Sequence, residues 1–278
     1  MDGEKLRDEV VARLRKEIEA KGSPKVCLAT LLVGDDKPSK IYVRWKHKKA
    51  EEAGMVSKGI ELPGSATQEE VEAAVKSFAD DPDVHGILVQ LPIPDHLDTE
   101  RVLDLVPPEK DIDGLTEISM GRLMRGRPGH VPCTPLGVMR LLERYGIPTK
   151  GKRAVVIGRS TLVGLPQTIL LIRKGGDATT TCAHSHTQDL VAVCREADII
   201  VSAVGIAKLI TKEHVKPGAV VVDVGVSRVE TKIVGDVDFD EVQKVASAIT
   251  PMPGGTGPMT IACLLENTLE AAKMQGKF

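Results

Sequence analysis

The sequence predicts an α/β protein in two domains, and three observations lead there. Short runs rich in Val, Ile and Leu alternate with stretches of helical period through residues 6–90, and the same alternation resumes at residue 134. Between them lies a loop-rich segment, residues 107–135, punctuated by Pro107-Pro108, Gly126, Pro128-Gly129, Pro132 and Pro135. Strands alternating with helices imply mostly parallel sheets. The boundary is placed to give a first domain of residues 1–130 and a second of residues 131–257, with a closing helix, residues 258–278, packing back on the first.

Taken in order, Leu6, Val10, Val11, Leu14 and Ile18 keep a helical period up to Lys21-Gly22, and residues 26–33 then form a buried strand closing at Gly34-Asp35-Asp36. A second helix is predicted over residues 39–54 and a short strand over residues 59–62. Thr67 and Glu70 have capping-box spacing ahead of a helix reaching residue 79. Residues 85–90 make the next strand, which runs into Leu91-Pro92-Ile93-Pro94. In the second half, Thr134-Pro135 is expected to cap a helix reaching Tyr145. Residues 152–157 are a strand of largely β-branched residues between Gly151 and Gly158; further strands are predicted over 178–183, 198–203 and 219–224, with helices after Val163 and after Thr187. The last helix, residues 259–273, follows a loop of prolines and glycines.

Composition narrows the function. The 278 residues are 42% hydrophobic, enough for a substantial core, and the formal charge of −2 supplies no basic field for nucleic acid. Three Phe, two Tyr and one Trp leave little for stacking bases. The five cysteines are scattered and never form a CxxC pair, so neither a disulfide framework nor a thiolate zinc site is indicated. The N-terminal residues lack an apolar signal core, and no run approaches membrane-spanning length. A reducing, cytoplasmic setting is expected.

Chemistry concentrates in a few places. The run Pro251-Met252-Pro253-Gly254-Gly255-Thr256-Gly257-Pro258 fixes a rigid turn with exposed backbone immediately before a helix, an arrangement that suits a binding loop. Gly158-Arg159-Ser160 with Val163-Gly164 lies between a strand and a helix, where a pyrophosphate can sit on a helix N-terminus, although it does not match GxGxxG. The next strand ends in Ala183-His184-Ser185-His186-Thr187, with no carboxylate before Asp189 to bind ribose hydroxyls; Arg159 and Ser185 could hold a 2′-phosphate instead, which favours NADP over NAD. Cys182, His184 and His186 lack a fourth ligand, so no metal is assigned. Tyr42 and Lys46 share a helix face, with Lys49 a turn further on, in a segment crowded by Arg44, His47 and Lys48 that also suits a solvated basic face. Gln90 ends a buried strand, where an amide needs a partner. Asp111 and Asp113 stand two apart in a loop and are equally suited to turn formation or to gripping a ligand.

Together these pieces resemble the bifunctional methylenetetrahydrofolate dehydrogenase/cyclohydrolase family. The resemblance spans nearly the whole chain and rests on Tyr42-Val43-Arg44-Trp45-Lys46, Val89-Gln90-Leu91-Pro92, Lys110-Asp111-Ile112-Asp113-Gly114, Pro132-Cys133-Thr134-Pro135, Gly158-Arg159-Ser160, Asp223-Val224-Gly225, Gly235-Asp236-Val237-Asp238 and the loop at 253–260. Departures are Thr256 where valine is usual, Ala207 where proline is frequent, and a slightly lengthened 174–177. The resemblance implies an N-terminal α/β catalytic domain and a Rossmann-like, doubly wound NAD(P)-binding domain with the active-site cleft between them. It implies NADP-dependent oxidation of 5,10-methylenetetrahydrofolate to the methenyl form, then hydrolysis to 10-formyltetrahydrofolate, by a homodimer. By position Lys46 is implied to handle the proton, Gln90 to orient it, Tyr42 to support the folate ring and Asp113 to meet the pterin donors. Val43, Arg44, Trp45, Val89, Leu91, Pro253, Gly254, Gly255, Thr256 and Gly257 are implied to line the folate site, and Gly158, Arg159, Ser160, Ser185 and Val226 to contact the dinucleotide. A dehydrogenase-only enzyme preferring NAD, or a non-catalytic folate or nucleotide sensor on the same fold, remain alternatives.

Overall fold

The computed structural model describes residues 1–230 and 232–278. Val11, Leu14 and Ile18 recur at helical spacing and are buried along α1 (Gly3–Ala20). β1 (Cys27–Val33) is buried at every residue. α2 (Lys37–Glu52) begins where the Asp36 carboxylate accepts from Ser39 N, with a proline in its first turn. β2 (Val56–Leu62) follows, then α3 (Gln68–Asp80), whose Thr67/Glu70 capping box is formed in both directions, and β3 (Gly86–Val89). All three strands are parallel in the order β2-β1-β3, with Thr30 opposite Gly59 on one side and Leu88 on the other. Alternate β1 residues Cys27, Ala29, Leu31 and Val33 pack with Val71, Val75 and Phe78 of α3, as a strand's two-residue period requires.

The segment expected to be loop contains more order than its punctuation suggests. Just ahead of it lies α4 (Thr99–Leu103), capped by Asp98, and within it α5 (Glu117–Met124), capped by Thr116, whose hydroxyl accepts from Ser119 N. The next helix, α6 (Cys133–Arg144), corrects the expected cap. It starts after Pro132 with no side-chain cap, and the Thr134 hydroxyl lies 2.9 Å from the Thr260 hydroxyl instead.

The second half runs β4 (Arg153–Ile157), α7 (Gly164–Ile172), β5 (Thr179–Ala183), α8 (Leu190–Arg195), β6 (Ile199–Ser202), a 3-10 turn Lys212–His214, β7 (Val220–Asp223), the hairpin β8 (Ser227–Val229) and β9 (Lys232–Val234), α9 (Phe239–Val242), β10 (Ala248–Ile249) and α10 (Thr256–Met274). The five-stranded sheet is parallel in the order β10-β7-β6-β4-β5. The chain winds outward in one direction from β4 to β5 and in the other through β6, β7 and β10, so its direction reverses between β4 and β6. Val155, Ile157, Ile200 and Val221 face one core with Cys194 and Val242, while Ala154, Val156, Val201 and Val222 face the other with Val138, Leu142 and Leu171.

The chain divides into two compact units, one of Met1–Arg7 and Pro132–Thr260, the other of Asp8–Val131 and Ile261–Phe278. In the first, the Met1 ammonium donates to Ile249 O and Gly3 N donates to Gly254 O at 2.9 Å. In the second, Asn267 Nδ2 donates to Ile112 O (2.8 Å) and Val131 O (3.1 Å), and Gln275 Nε2 to His85 O (2.8 Å). Among the described residues no helix is long and apolar enough to cross a membrane.

Candidate active site and nucleotide turn

α2 lies over β1 and buries part of its basic face. Lys46 is only 7% exposed and Lys49 only 8%, so the face is not simply solvated. Lys49 Nζ meets Asp8 at 3.0 Å and Glu52 at 2.7 Å, an ion-paired structural lysine. Lys46 Nζ donates to Gln90 Oε1 at 2.9 Å. Gln90 is held in turn: its backbone N donates to Leu31 O (2.9 Å) and its Nε2 to Leu91 O (2.6 Å), which leaves the amide carbonyl aimed at Lys46 Nζ. His47 fixes the helix on the sheet through Thr30 Oγ1 at 2.7 Å, and burial lowers its pKa. Tyr42 and Trp45 are exposed on the same helix, with Lys48 Nζ 5.2 Å from the Trp45 ring centroid. Arg44 is exposed; Val43 and Val89 are buried, and Leu91 packs against the β1–α3 core.

The two loop carboxylates separate cleanly. Asp111 is buried and satisfied by its own loop: Oδ1 accepts from Gly114 N (3.0 Å) and Leu115 N (3.2 Å), Oδ2 from Thr116 N (3.0 Å) and Thr116 Oγ1 (2.8 Å). Lys110 is equally structural, capping the end of α3 through the carbonyls of Phe78, Ala79 and Asp81, and burial lowers its pKa. Asp113, two residues beyond Asp111, is half-buried.

In the other unit, the turn after β4 depends on glycine at both ends. Gly158 has φ +116°, and a Cβ there would lie 2.4 Å from Ala203 O; a Cβ at Gly164 would lie 2.1 Å from Gly158 O. The turn is therefore closed tightly enough to bring the N-terminus of α7 against the strand end, the geometry a pyrophosphate needs. Ser160 Oγ accepts from Val163 N at 3.2 Å and shapes the turn, while Arg159 is exposed. At the end of β5, Ser185 is exposed in a turn pinned by Thr187 Oγ1, which accepts from His184 N at 2.8 Å. Asp189 is occupied as the cap of α8, accepting from Ala192 N. No carboxylate is thus offered where NAD-type folds hold the ribose, and the turn fits a 2′-phosphorylated dinucleotide. Val226 is exposed beyond β7.

The loop at 253–257 belongs to this unit. Gly254 has φ +104°, and Gly255 packs so closely that a Cβ would lie 2.6 Å from Pro251 O. Thr256 is buried and donates to Asp223 O at 2.9 Å, so its hydroxyl holds the loop. Pro253 is exposed, and Gly257 half-buried.

Profiles of two domains match this architecture: the catalytic domain of tetrahydrofolate dehydrogenase/cyclohydrolase over residues 1–113, and its NAD(P)-binding domain over residues 132–276. The chain belongs to the tetrahydrofolate dehydrogenase/cyclohydrolase family. Bifunctional protein FolD of Methanoculleus marisnigri is 52% identical over 99% of this chain and 96% of its own length. The crystal structure of the FolD dehydrogenase/cyclohydrolase from Campylobacter jejuni superimposes with a TM-score of 0.94 at 46% identity, covering 98% of each chain. The Trypanosoma brucei dehydrogenase-cyclohydrolase complexed with NADP cofactor and an inhibitor gives 0.93 at 39% identity, covering 99% of this chain and 97% of that one. Within this tetrahydrofolate dehydrogenase/cyclohydrolase chain, sequence reasoning missed the supports: Asn267, which ties the Asp113 loop to α10, and Asp223 and Asp236, whose partners are remote in sequence.

Proposed function

We infer that the protein is a bifunctional enzyme of one-carbon folate metabolism, oxidising 5,10-methylenetetrahydrofolate to the 5,10-methenyl form with NADP and hydrolysing that product to 10-formyltetrahydrofolate. The observation that carries the residue assignment is the buried Lys46 Nζ facing Gln90 Oε1 at 2.9 Å. In the first step the carbon that loses hydride is flanked by two nitrogens, so the cation formed is stabilised by the substrate itself and the protein's task is orientation. NADP, when held by Gly158, Arg159, Ser160, Ser185 and Val226, supplies the hydride acceptor. Tyr42 and Trp45 offer exposed rings to the folate, and Asp113 accepts from pterin N–H groups.

In the second step the oxygen of a water bonds to the methenyl carbon. Lys46 Nζ, as the amine, takes that water's proton; the bond from carbon to N5 then breaks, N5 receives a proton, and one proton leaves to solvent. Gln90 keeps Nζ on the substrate side. We further expect a homodimer in the cytoplasm, the latter in keeping with five scattered cysteines that never form a CxxC pair. The deciding experiment follows methylenetetrahydrofolate oxidation with NADP and with NAD while recording methenyl accumulation. NADP preference with enzymatic hydrolysis supports this reading; NAD preference with methenyl decaying at the spontaneous rate identifies a dehydrogenase alone, and neither reaction identifies a sensor.

A further inference from the structure

Two carboxylates lie buried at the C-terminal edge of the five-stranded sheet, and none of the chemistry above uses them. Asp223, at the end of β7, is 2% exposed, and Asp236, after β9, is fully buried. Asp223 Oδ1 accepts from Gly225 N (3.1 Å) and Asp236 N (3.0 Å), and Oδ2 from Val237 N (3.0 Å). Asp236 Oδ2 accepts from Ser202 Oγ (2.9 Å) and Val204 N (2.8 Å), and Oδ1 from Ile206 N (2.9 Å). One carboxylate thus grips the backbone of the other, and the second grips the turn that leaves β6. The fit excludes side chains: a Cβ at Gly225 would lie 1.9 Å from Asp236 Oδ1, and one at Gly235 1.8 Å from Asp223 Oδ2.

The turn being gripped occupies a particular place. The chain reverses its winding between β4 and β6, and open parallel sheets take their ligands in the crevice at that reversal. Residues 203–206 form the wall of this crevice opposite the 158–164 turn, and the two walls approach so closely that Gly158 has no room for a Cβ beside Ala203 O. Burying carboxylates is unfavourable unless every lone pair is met, and what a fully satisfied network supplies in return is a single backbone conformation.

We propose that Asp236, braced by Asp223, is a positioning residue for the dinucleotide: by holding Val204 N and Ile206 N it sets the wall of the crevice that faces the glycine turn. The proposal rests on the reading that NADP occupies that crevice. Asp236→Asn leaves an acceptor for Ser202 and Val204 but turns an N–H toward Ile206 N, releasing that end of the wall. The test uses the full-length protein and measures NADP+ affinity by calorimetry, together with the Michaelis constants for both substrates and the ratio of hydrolysis to oxidation. For folded Asp236→Asn, NADP+ affinity is expected to fall at least about tenfold, as for loss of one hydrogen bond to a charged group, and the ratio of hydrolysis to oxidation to rise. A merely structural carboxylate would depress both reactions together, and that outcome overturns the proposal. If Arg159→Ala weakens NADP+ binding while folded Asp236→Asn does not, the positioning role fails and the crevice reading stands; if neither does, both fail. Should Asp236→Asn not fold, Ser202→Ala decides: it removes one of three donors, and unchanged NADP+ affinity overturns the proposal.

Discussion

In the function proposed above, the working groups at the end of β3 are side chains and those at the end of β4 are largely backbone. Lys46, Gln90 and Asp113 would present an amine, an amide and a carboxylate; Lys46 Nζ meets Gln90 Oε1, while His47 binds Thr30 and Asp111 binds its own loop. The turn from Gly158 to Gly164 is built by close backbone approach, and the residues it depends on are the ones with no side chain. A site built from functional groups is broken by removing atoms, while one built from close backbone approach is broken by adding them.

The largest effect should come from taking the amine away. Lys46→Met keeps most of the stem's packing, so hydrolysis of methenyltetrahydrofolate should fall by ~10²–10⁴-fold, the usual contribution of general acid–base catalysis, while some oxidation survives and the methenyl product accumulates. Lys49→Met, on the same helix, should show the reverse: the Asp8 and Glu52 carboxylates lose their partner, so stability falls while hydrolysis persists. Wild-type hydrolysis by folded Lys46→Met would remove the side-chain half of the comparison.

Adding one methyl group tests the other half. Gly158→Ala places a Cβ 2.4 Å from Ala203 O at φ +116°, a backbone conformation costing on the order of 1–3 kcal/mol for a residue with a side chain. NADP+ binding, read by calorimetry, should weaken while folate binding is retained. A Gly158→Ala variant that binds NADP+ as the wild type does would show that the turn is not the cradle.

How much of this was legible in the sequence follows the same division. The Thr67/Glu70 box, the β-branched strand over Arg153–Ile157 and the glycine turn could be read because each is a local pattern whose residues touch one another. α5 escaped because its flanks are rich in proline and glycine and only Ser119 and Leu123 along it are buried, too little to show a helical stripe. β10 is a strand of two residues whose existence depends on pairing with β7. Asp111 and Asp113 could not be told apart by spacing, since what distinguishes them is where Gly114, Leu115 and Thr116 point their N–H groups. Asp223 and Asp236 were visible only as family words, because Ser202, Val204 and Ile206 come to Asp236 across some thirty residues of chain.

That ambiguity yields a sharper, smaller test within the side-chain site. Asp111→Asn must set its amide N–H groups against backbone donors it formerly accepted from, a loss of roughly 1–3 kcal/mol of stability. Asp113→Asn exchanges an acceptor for a donor where the pterin is expected, so both half-reactions should weaken together. Denaturant unfolding and folate turnover, measured on both variants, should rank them oppositely: Asp111→Asn the less stable, Asp113→Asn the less active. If Asp113→Asn turns over folate normally and Asp111→Asn does not, the assignment of the two carboxylates is inverted.

The smallest expected effect lies under the backbone site, where side chains do matter as scaffolding. Burial, reinforced by the neighbouring Asp236 carboxylate, pushes the Asp223 carboxyl up from 3.8 to about 6, against the pull of the N–H donors of Val237, Asp236 and Gly225. The folded state therefore holds this proton more tightly than the unfolded chain does. Its contribution to stability is complete below the unfolded value and is lost as the pH rises through about 6. Asp81 and Asp198 are shifted the other way, chiefly by their lysine partners Lys58 and Lys216, and their contributions grow with pH over the acid range, so the slope of the whole protein mixes both signs. Subtracting Asp223→Asn from wild type isolates the one group. The unfolding free energy of the wild type, measured relative to that variant between about pH 4 and 7, should decline with rising pH by at most ~1.4 kcal/mol per pH unit. Parallel curves would mean that Asp223 is ionised throughout, and that the three N–H groups outweigh its burial.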